Sequence, residues 1–199
     1  MSFKKNKEDL CFFLSSGLLM LLGILFLGLG FHYLPNAVYT MKQNSERKLP
    51  IYCVECTSPK VALSFDAAWG NEDTPALLKI LKENNVKATF FMTGGWIDSY
   101  PEDVKAIAFD GHDLANHSEN HKQMSQLSKQ ECIREIIKPH EKVKALTGME
   151  MNLFRPPYGD YNNTVLEAIE ESGYYGIQWD VEVCVTNGNI EKSRFSLFF

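Results

Sequence analysis

Apolar positions follow two different patterns along this chain. From Leu10 to Leu34 they form one long run, interrupted by Ser15, Ser16 and His32, rich in Leu, Phe, Ile, Met and Gly and free of Asp, Glu, Lys and Arg. Beyond residue 59 they come as short runs alternating with stretches of helical period. Val61–Phe65, ending at Asp66, reads as a strand. Asp73-Thr74-Pro75 reads as a helix start, with a capping side chain and proline in the first turn. Leu77, Leu78 and Leu81 give that helix an apolar stripe. Ala88–Met92 is a second strand, Pro101–Phe109 a helix stopped by Gly111, and His112–Asn116 a weaker third strand. Ser128-Lys129-Gln130-Glu131 has capping-box spacing and opens a helix to about Leu146, which Pro139 is expected to kink or split before Gly148 ends it. Met151–Phe154 is a fourth strand, Asn163–Ser172 a helix stopped by Gly173, and Tyr175–Trp179 a fifth strand. This rhythm predicts an α/β fold with a parallel sheet, open or closed as a barrel. In such folds chemistry gathers at the carboxyl ends of the strands.

The long apolar run needs a different environment. Residues 10–34 exceed the roughly 20 that span a bilayer, and the roughly 7–15 of a secretory signal's apolar region. Cleavage after Ala37 would place Pro35 three residues before the cut, a poor site. An uncleaved signal anchor is therefore expected. Lys4, Lys5 and Lys7 precede it, so residues 1–9 are expected in the cytoplasm and everything beyond the span outside. The resulting organisation is a tail (1–9), a transmembrane anchor (10–34), a juxtamembrane linker (35–58), a domain (59–181) and a tail (182–199).

Composition narrows the function classes. Of 199 residues 45% are apolar, the profile of a globular protein rather than a disordered one. Lys and Arg number 20 against 25 Asp and Glu, a net charge of -5, which argues against a nucleic-acid partner. Five cysteines are too sparse for a disulfide framework. Cys53-Val54-Glu55-Cys56 is a redox pair, half a zinc site, a local disulfide, or nothing, and no second such pair completes a zinc site.

Candidate chemistry falls at successive strand ends. Asp66 closes the first, His117-Ser118-Glu119-Asn120-His121 follows the third, Arg155-Pro156-Pro157-Tyr158-Gly159 the fourth, and Asp180 the fifth. Singly, each has a plain explanation: a strand-end cap, a surface histidine pair, an arginine in a salt bridge. Trp69 and Trp179 suit either the core or a platform for a sugar ring. Together at one sheet edge they are more informative. His117 and His121, four residues apart on one helical turn, would point the same way, a spacing suited to a divalent transition metal.

In this order, Ser64-Phe65-Asp66-Ala67-Ala68-Trp69-Gly70, the histidine segment and the Arg155–Gly159 segment resemble the motifs of the polysaccharide deacetylase family, the NodB-homology domain. The Phe65-Asp66-Ala67-Ala68-Trp69-Gly70 form resembles a sporulation-associated branch. The resemblance implies a distorted (β/α) barrel that removes acetyl groups from N-acetylated sugars such as those of peptidoglycan, using a bound divalent metal, usually zinc. Its partners would be an N-acetylated cell-wall glycan and, through the anchor, the membrane. Carried over by position, Asp66 is the catalytic base, His117 and His121 the metal ligands, and Arg155 the residue that orients Asp66. Pro156, Pro157 and Tyr158 form the groove wall, with the Tyr158 backbone N–H donating to the oxyanion. Trp69 is a substrate-facing platform.

Two departures qualify this picture. The family's first motif has two aspartates, the second a metal ligand. Here that residue is Ala67. Zinc should then be held weakly, with water or Asp66 completing the shell. The family also continues with an aspartate–tryptophan motif, further β/α units and a Leu-x-His motif, which the segment after Val181 does not match. His140, in a predicted helix, is no substitute for the missing histidine. The tail therefore reads as an aberrant, truncated or out-of-frame end. The expected product is an incomplete barrel with an open sheet edge, poor folding and little activity. Two other readings stand beside a membrane-anchored deacetylase: a glycan-binding pseudoenzyme, and a metal-dependent hydrolase of another amide or ester.

Overall fold

The computed structural model describes residues 20–29, 47–55, 57, 60–180, 184–186 and 189–191. The chain divides into two compact units, Met1–Arg47 and Lys48–Phe199. In the first, residues 20–29 are helical. The rest of the expected anchor at 10–34 lies outside the described residues, as do Cys56 and most of the expected linker. Among the described residues, no helix is long and apolar enough to cross a membrane.

The second unit carries five parallel strands, β1 (Ser64–Ala67), β2 (Thr89–Met92), β3 (Asp113–Asn116), β4 (Leu153–Phe154) and β5 (Tyr175–Gly176), side by side in chain order. The crossovers carry α1 (Thr74–Glu83), α2 (Gly94–Ser99), α3 (Pro101–Phe109), α4 (Lys129–Thr147) and α5 (Asn163–Glu171). A short antiparallel hairpin follows, β6 (Cys184–Thr186) with β7 (Asn189–Glu191). The α/β rhythm and the parallel sheet match the sequence expectation, with shorter fourth and fifth strands.

The β5 edge is extended by an early segment. Ile51 forms a parallel bridge with Ile177, donating to the Gly176 carbonyl at 2.8 Å and accepting from the Gln178 N–H at 2.9 Å. Part of the stretch read as linker is thus a strand position, too short and isolated to be visible as periodicity. Beside it an apolar cavity of about 620 Å³ opens between the two ends of the sheet, lined by residues that include Ile51, Leu63, Phe91, Leu153 and Ile177.

Local chemistry accounts for most boundaries. β2, Thr-Phe-Phe-Met, has its last three residues buried, as a central parallel strand covered on both faces requires. In α4 the Glu131 carboxylate accepts from both the N–H and the hydroxyl of Ser128, and Gly148 ends the helix at φ 74°. Asn162 caps α5 by accepting from the Val165 N–H. Asp73 does not cap α1: its backbone is already helical (φ -88°, ψ -15°) and its side chain makes no capping bond. Pro139 does not split α4, which runs on to Thr147. A mid-helix proline costs about 3 kcal/mol. Burying Cys132, Ile136, Pro139 and Val143 on one face outweighs that, at about 1.5–3 kcal/mol for each large side chain. Helix α2, missed in the sequence, starts where the Thr93 hydroxyl accepts from the Trp96 N–H at 3.2 Å.

Candidate active site

Sheet register assembles the site. Ala67, Met92 and Asn116 stand at one level across β1, β2 and β3, and Asn116 pairs with Phe154 of β4. Asp66 stands one residue before this level, and His117 and Arg155 one residue past it.

Arg155 is the hub. Its guanidinium lies 3.9 Å over the Phe91 ring, and the residue is 3% exposed. Nη1 donates to Asp66 Oδ1 at 2.5 Å and Nη2 to Ser64 Oγ at 2.8 Å. Its backbone is used too: the Arg155 N–H donates to the Asn116 carbonyl, and the Arg155 carbonyl lies 2.7 Å from His117 Nδ1. A carbonyl only accepts, so Nδ1 carries the proton and Nε2 presents its lone pair. Burial holds the His117 pKa below its ordinary value despite the opposing pull of Asp66, which keeps the ring neutral at pH 7. Nε2 lies 3.8 Å from Asp66 Oδ2.

His121 comes to the same place by a different route from the one its spacing suggests. The segment 117–121 is not a helical turn. Ser118 and His121 have φ of 68° and 52°, the left-handed region that non-glycine residues rarely enter. The rings of His117 and His121 still lie 4.9 Å apart, edge to face. His121 also packs between Trp69 and Tyr158, at 4.7 and 4.6 Å. Burial lowers the His121 pKa, against a weaker upward pull from Asp66. Trp69 is 77% exposed and Tyr158 62%, so the sequence's choice between core and platform falls to an exposed face for Trp69. Trp179 instead sits 5.6 Å from the Arg155 guanidinium.

The Pro157–Gly159 turn places Tyr158 at φ 59° with both prolines buried, so Tyr158 supplies its exposed surface. Gly159 is needed there twice over, because its φ is 65° and a Cβ would lie 3.1 Å from Trp179. Asp180 is exposed and takes no part in the Asp66–Arg155–His117 cluster. His140 lies in α4 as expected, bonded to the Tyr174 hydroxyl and to Glu150, each at 2.5 Å.

Three supporting residues were not visible as motifs. Asn116, fully buried, accepts from the Ser118 N–H at 3.0 Å. Glu135 accepts from the N–H and the Nδ2 of Asn120, both at 2.8 Å. Lys142 donates to Glu119 Oε1 at 2.7 Å and to Asp98 Oδ2 at 2.6 Å. The one sequence signal was Glu135, a charge on the buried face of α4 beside Cys132, Ile136 and Val143.

The profile of the polysaccharide deacetylase family matches residues 54–177. The chain belongs to the polysaccharide deacetylase family. It is 37% identical over 123 residues to a peptidoglycan-N-acetylglucosamine deacetylase of Bacillus cereus, covering 62% of this chain and 45% of that one. It is 30% identical over 164 residues to the peptidoglycan-N-acetylmuramic acid deacetylase PdaA of Bacillus subtilis, covering 82% and 62%. Among solved structures it superposes on a CE4 family pseudoenzyme from Bacillus anthracis with a TM-score of 0.64 and 33% identity, covering 67% of this chain and 47% of that one. A mutant of that pseudoenzyme with restored enzymatic activity matches equally well, at 0.64 and 34%. The chain thus spans about half the length of these relatives. The family is one of hydrolases that remove acetyl groups, and these neighbours are built on the same parallel α/β fold.

Family members generally depend on a metal, and the residues present fit a divalent ion held by two imidazoles. His117 offers Nε2 because its Nδ1 is committed to a carbonyl, the arrangement typical of a metal-ligating histidine. His121 Nδ1 is buried with no hydrogen-bond partner. Among the described residues no group of three or more His, Cys, Asp or Glu side chains could hold a metal ion. Ala67 stands where the family's motif has its second aspartate. Catalytic zinc sites typically have three protein ligands.

Proposed function

We propose that this chain is a membrane-anchored, extracytoplasmic N-deacetylase that hydrolyses the acetamide of N-acetylated amino sugars in peptidoglycan, in a sporulation setting. The observation that carries this reading is the Asp66–Arg155 pair facing His117. A carboxylate locked by a buried guanidinium, 3.8 Å from an imidazole with a free lone pair, is a general base already aimed. The anchor rests on residues 10–34 and the sporulation setting on the Phe65–Gly70 motif.

His117 and His121 would hold the divalent ion. That ion would supply Lewis acidity, which lowers the pKa of water and steadies negative charge on the acetyl oxygen. Trp69 and Tyr158 offer exposed aromatic faces on either side of His121 for a sugar ring. Asp66 takes a proton from water as the oxygen adds to the acetamide carbon. The Tyr158 N–H donates to the developing oxyanion. The C–N bond breaks as the protonated Asp66 returns its proton to nitrogen, leaving acetate and a free amine.

A second reading is favoured by Ala67 and by the likeness to the B. anthracis pseudoenzyme: the groove binds the glycan without turnover. Acetate release from N-acetylglucosamine oligomers and from peptidoglycan, measured with the full chain and added zinc, separates the two. Release that disappears in Asp66→Asn supports the deacetylase. Saturable glycan binding with no acetate above background supports the second reading and overturns the first.

A further inference from the structure

The segment holding both histidines is conformationally expensive. Left-handed backbone at Ser118 and His121 is disfavoured for side-chain-bearing residues and persists only where the surroundings impose it. Two of the groups that impose it come from one helix. Glu135, 7% exposed, accepts from the N–H and Nδ2 of Asn120 and lies 3.1 Å from the Lys122 ammonium. Lys142, seven positions on and two helical turns away, donates to Glu119, whose other oxygen, Oε2, is buried. Glu119 is wedged so tightly against α2 that a Cβ at Gly94 would fall 1.8 Å from Oε2. Asp98 of α2 holds the far side of the same ammonium. One acid and one base on a single face of α4 therefore grip adjacent residues of the loop, in the interval between His117 and His121.

We propose that Glu135 and Lys142 are positioning residues, a two-point clasp that sets the distance and angle between the two imidazoles. Neither touches a histidine. Each acts through Asn120 or Glu119. The proposal rests on His117 and His121 being the ligand pair, and its test keeps the two ideas apart by using one readout that needs no metal.

That readout is amide hydrogen exchange of the full, metal-free chain. The N–H groups of Ser118, Asn120 and His121 are held by Asn116 Oδ1, Glu135 Oε2 and Ser118 Oγ. In Glu135→Gln and Lys142→Met their exchange is expected to rise at least about tenfold while β2 and β3 amides keep wild-type rates. Zinc affinity, followed by titration with the metal alone, should fall about tenfold, at the lower end of what support for metal ligands is worth. The cobalt(II) absorption spectrum should broaden. Lys144→Ala, on the same helix but paired with Glu150, should change none of these. If Glu135→Gln fails to fold, Asn120→Ala removes one of the two bonds from an exposed position and should give the same pattern, smaller. Loop exchange that stays at wild-type rates overturns the clasp. So does exchange that rises equally in loop and sheet, which marks a merely structural role. A wild-type chain that takes up no zinc, with loop exchange still responding, keeps the clasp and removes the ligand-pair reading instead.

Discussion

The site has two limbs, built to different standards. The histidine limb follows β3, an interior strand, and is fixed from several directions: His117 by the Arg155 carbonyl, Ser118 by Asn116, Asn120 by Glu135, Glu119 by Lys142. The aspartate limb belongs to β1, which pairs only with β2 among the described residues, and its carboxylate is 36% exposed. What holds it is Arg155. The histidine limb is over-determined, and the aspartate limb, more open to solvent, is tethered at one point.

The largest expected effect lies on the aspartate limb. Asp66→Asn keeps an acceptor for Arg155 but removes the proposed base, so under the deacetylase proposal acetate release should fall by about 10²–10⁴-fold while the thermal midpoint stays near wild type. If both fall together, Asp66 matters to folding and the contrast between limbs weakens. Next is Ala67→Asp, which restores the acidic residue of the family's motif at the level of Asn116, the residue before His117. Zinc affinity should rise on the order of 100-fold, the upper range for changes around a metal site. Titration calorimetry reads this directly, and an unchanged constant would mean that position 67 faces away from the ion.

The histidine limb should respond in stability. Gly94→Ala forces a methyl into Glu119, an overpacking that costs about 1–3 kcal/mol in a urea melt. A melt at the wild-type midpoint would show that the loop gives way freely. The smallest effect is acid sensitivity. Burial pushes the Glu135 carboxyl up, but the Asn120 bonds and Lys122 outweigh it, and its pKa lies below the ordinary 4.5. A depressed folded value contributes stability that is complete above about pH 4.5 and is lost as pH falls through the folded value. The stability advantage of wild type over Glu135→Gln should therefore shrink on acidification across that window, in denaturant melts at stepped pH.

Much of this was legible in the sequence. The strand–helix rhythm, the capping box of α4 and the three polar clusters each have a local cause, so local reading finds them. What stayed hidden has a non-local cause. Ile51 joins the sheet through a partner more than a hundred residues away. Pro139 stays in its helix because tertiary burial exceeds its local cost. The His117–His121 spacing suggested a helical turn, and the side chains of Asn116, Ser118 and Glu135 impose another geometry with the same rapprochement of rings. Glu135 and Lys142 left only the faint trace of charge on a helix that reads as packing.

Arg155 joins the two limbs with different parts of itself, the guanidinium on Asp66 and the carbonyl on His117. A side-chain replacement can reach only the first. The second is a property of the peptide, and its direction is governed by the next residue: Pro156 confines Arg155 to extended backbone. The protonation pattern of the imidazole is therefore encoded one position downstream of the atom that enforces it. A mutational scan of 155 would score that position for its charge alone and leave its second duty unseen.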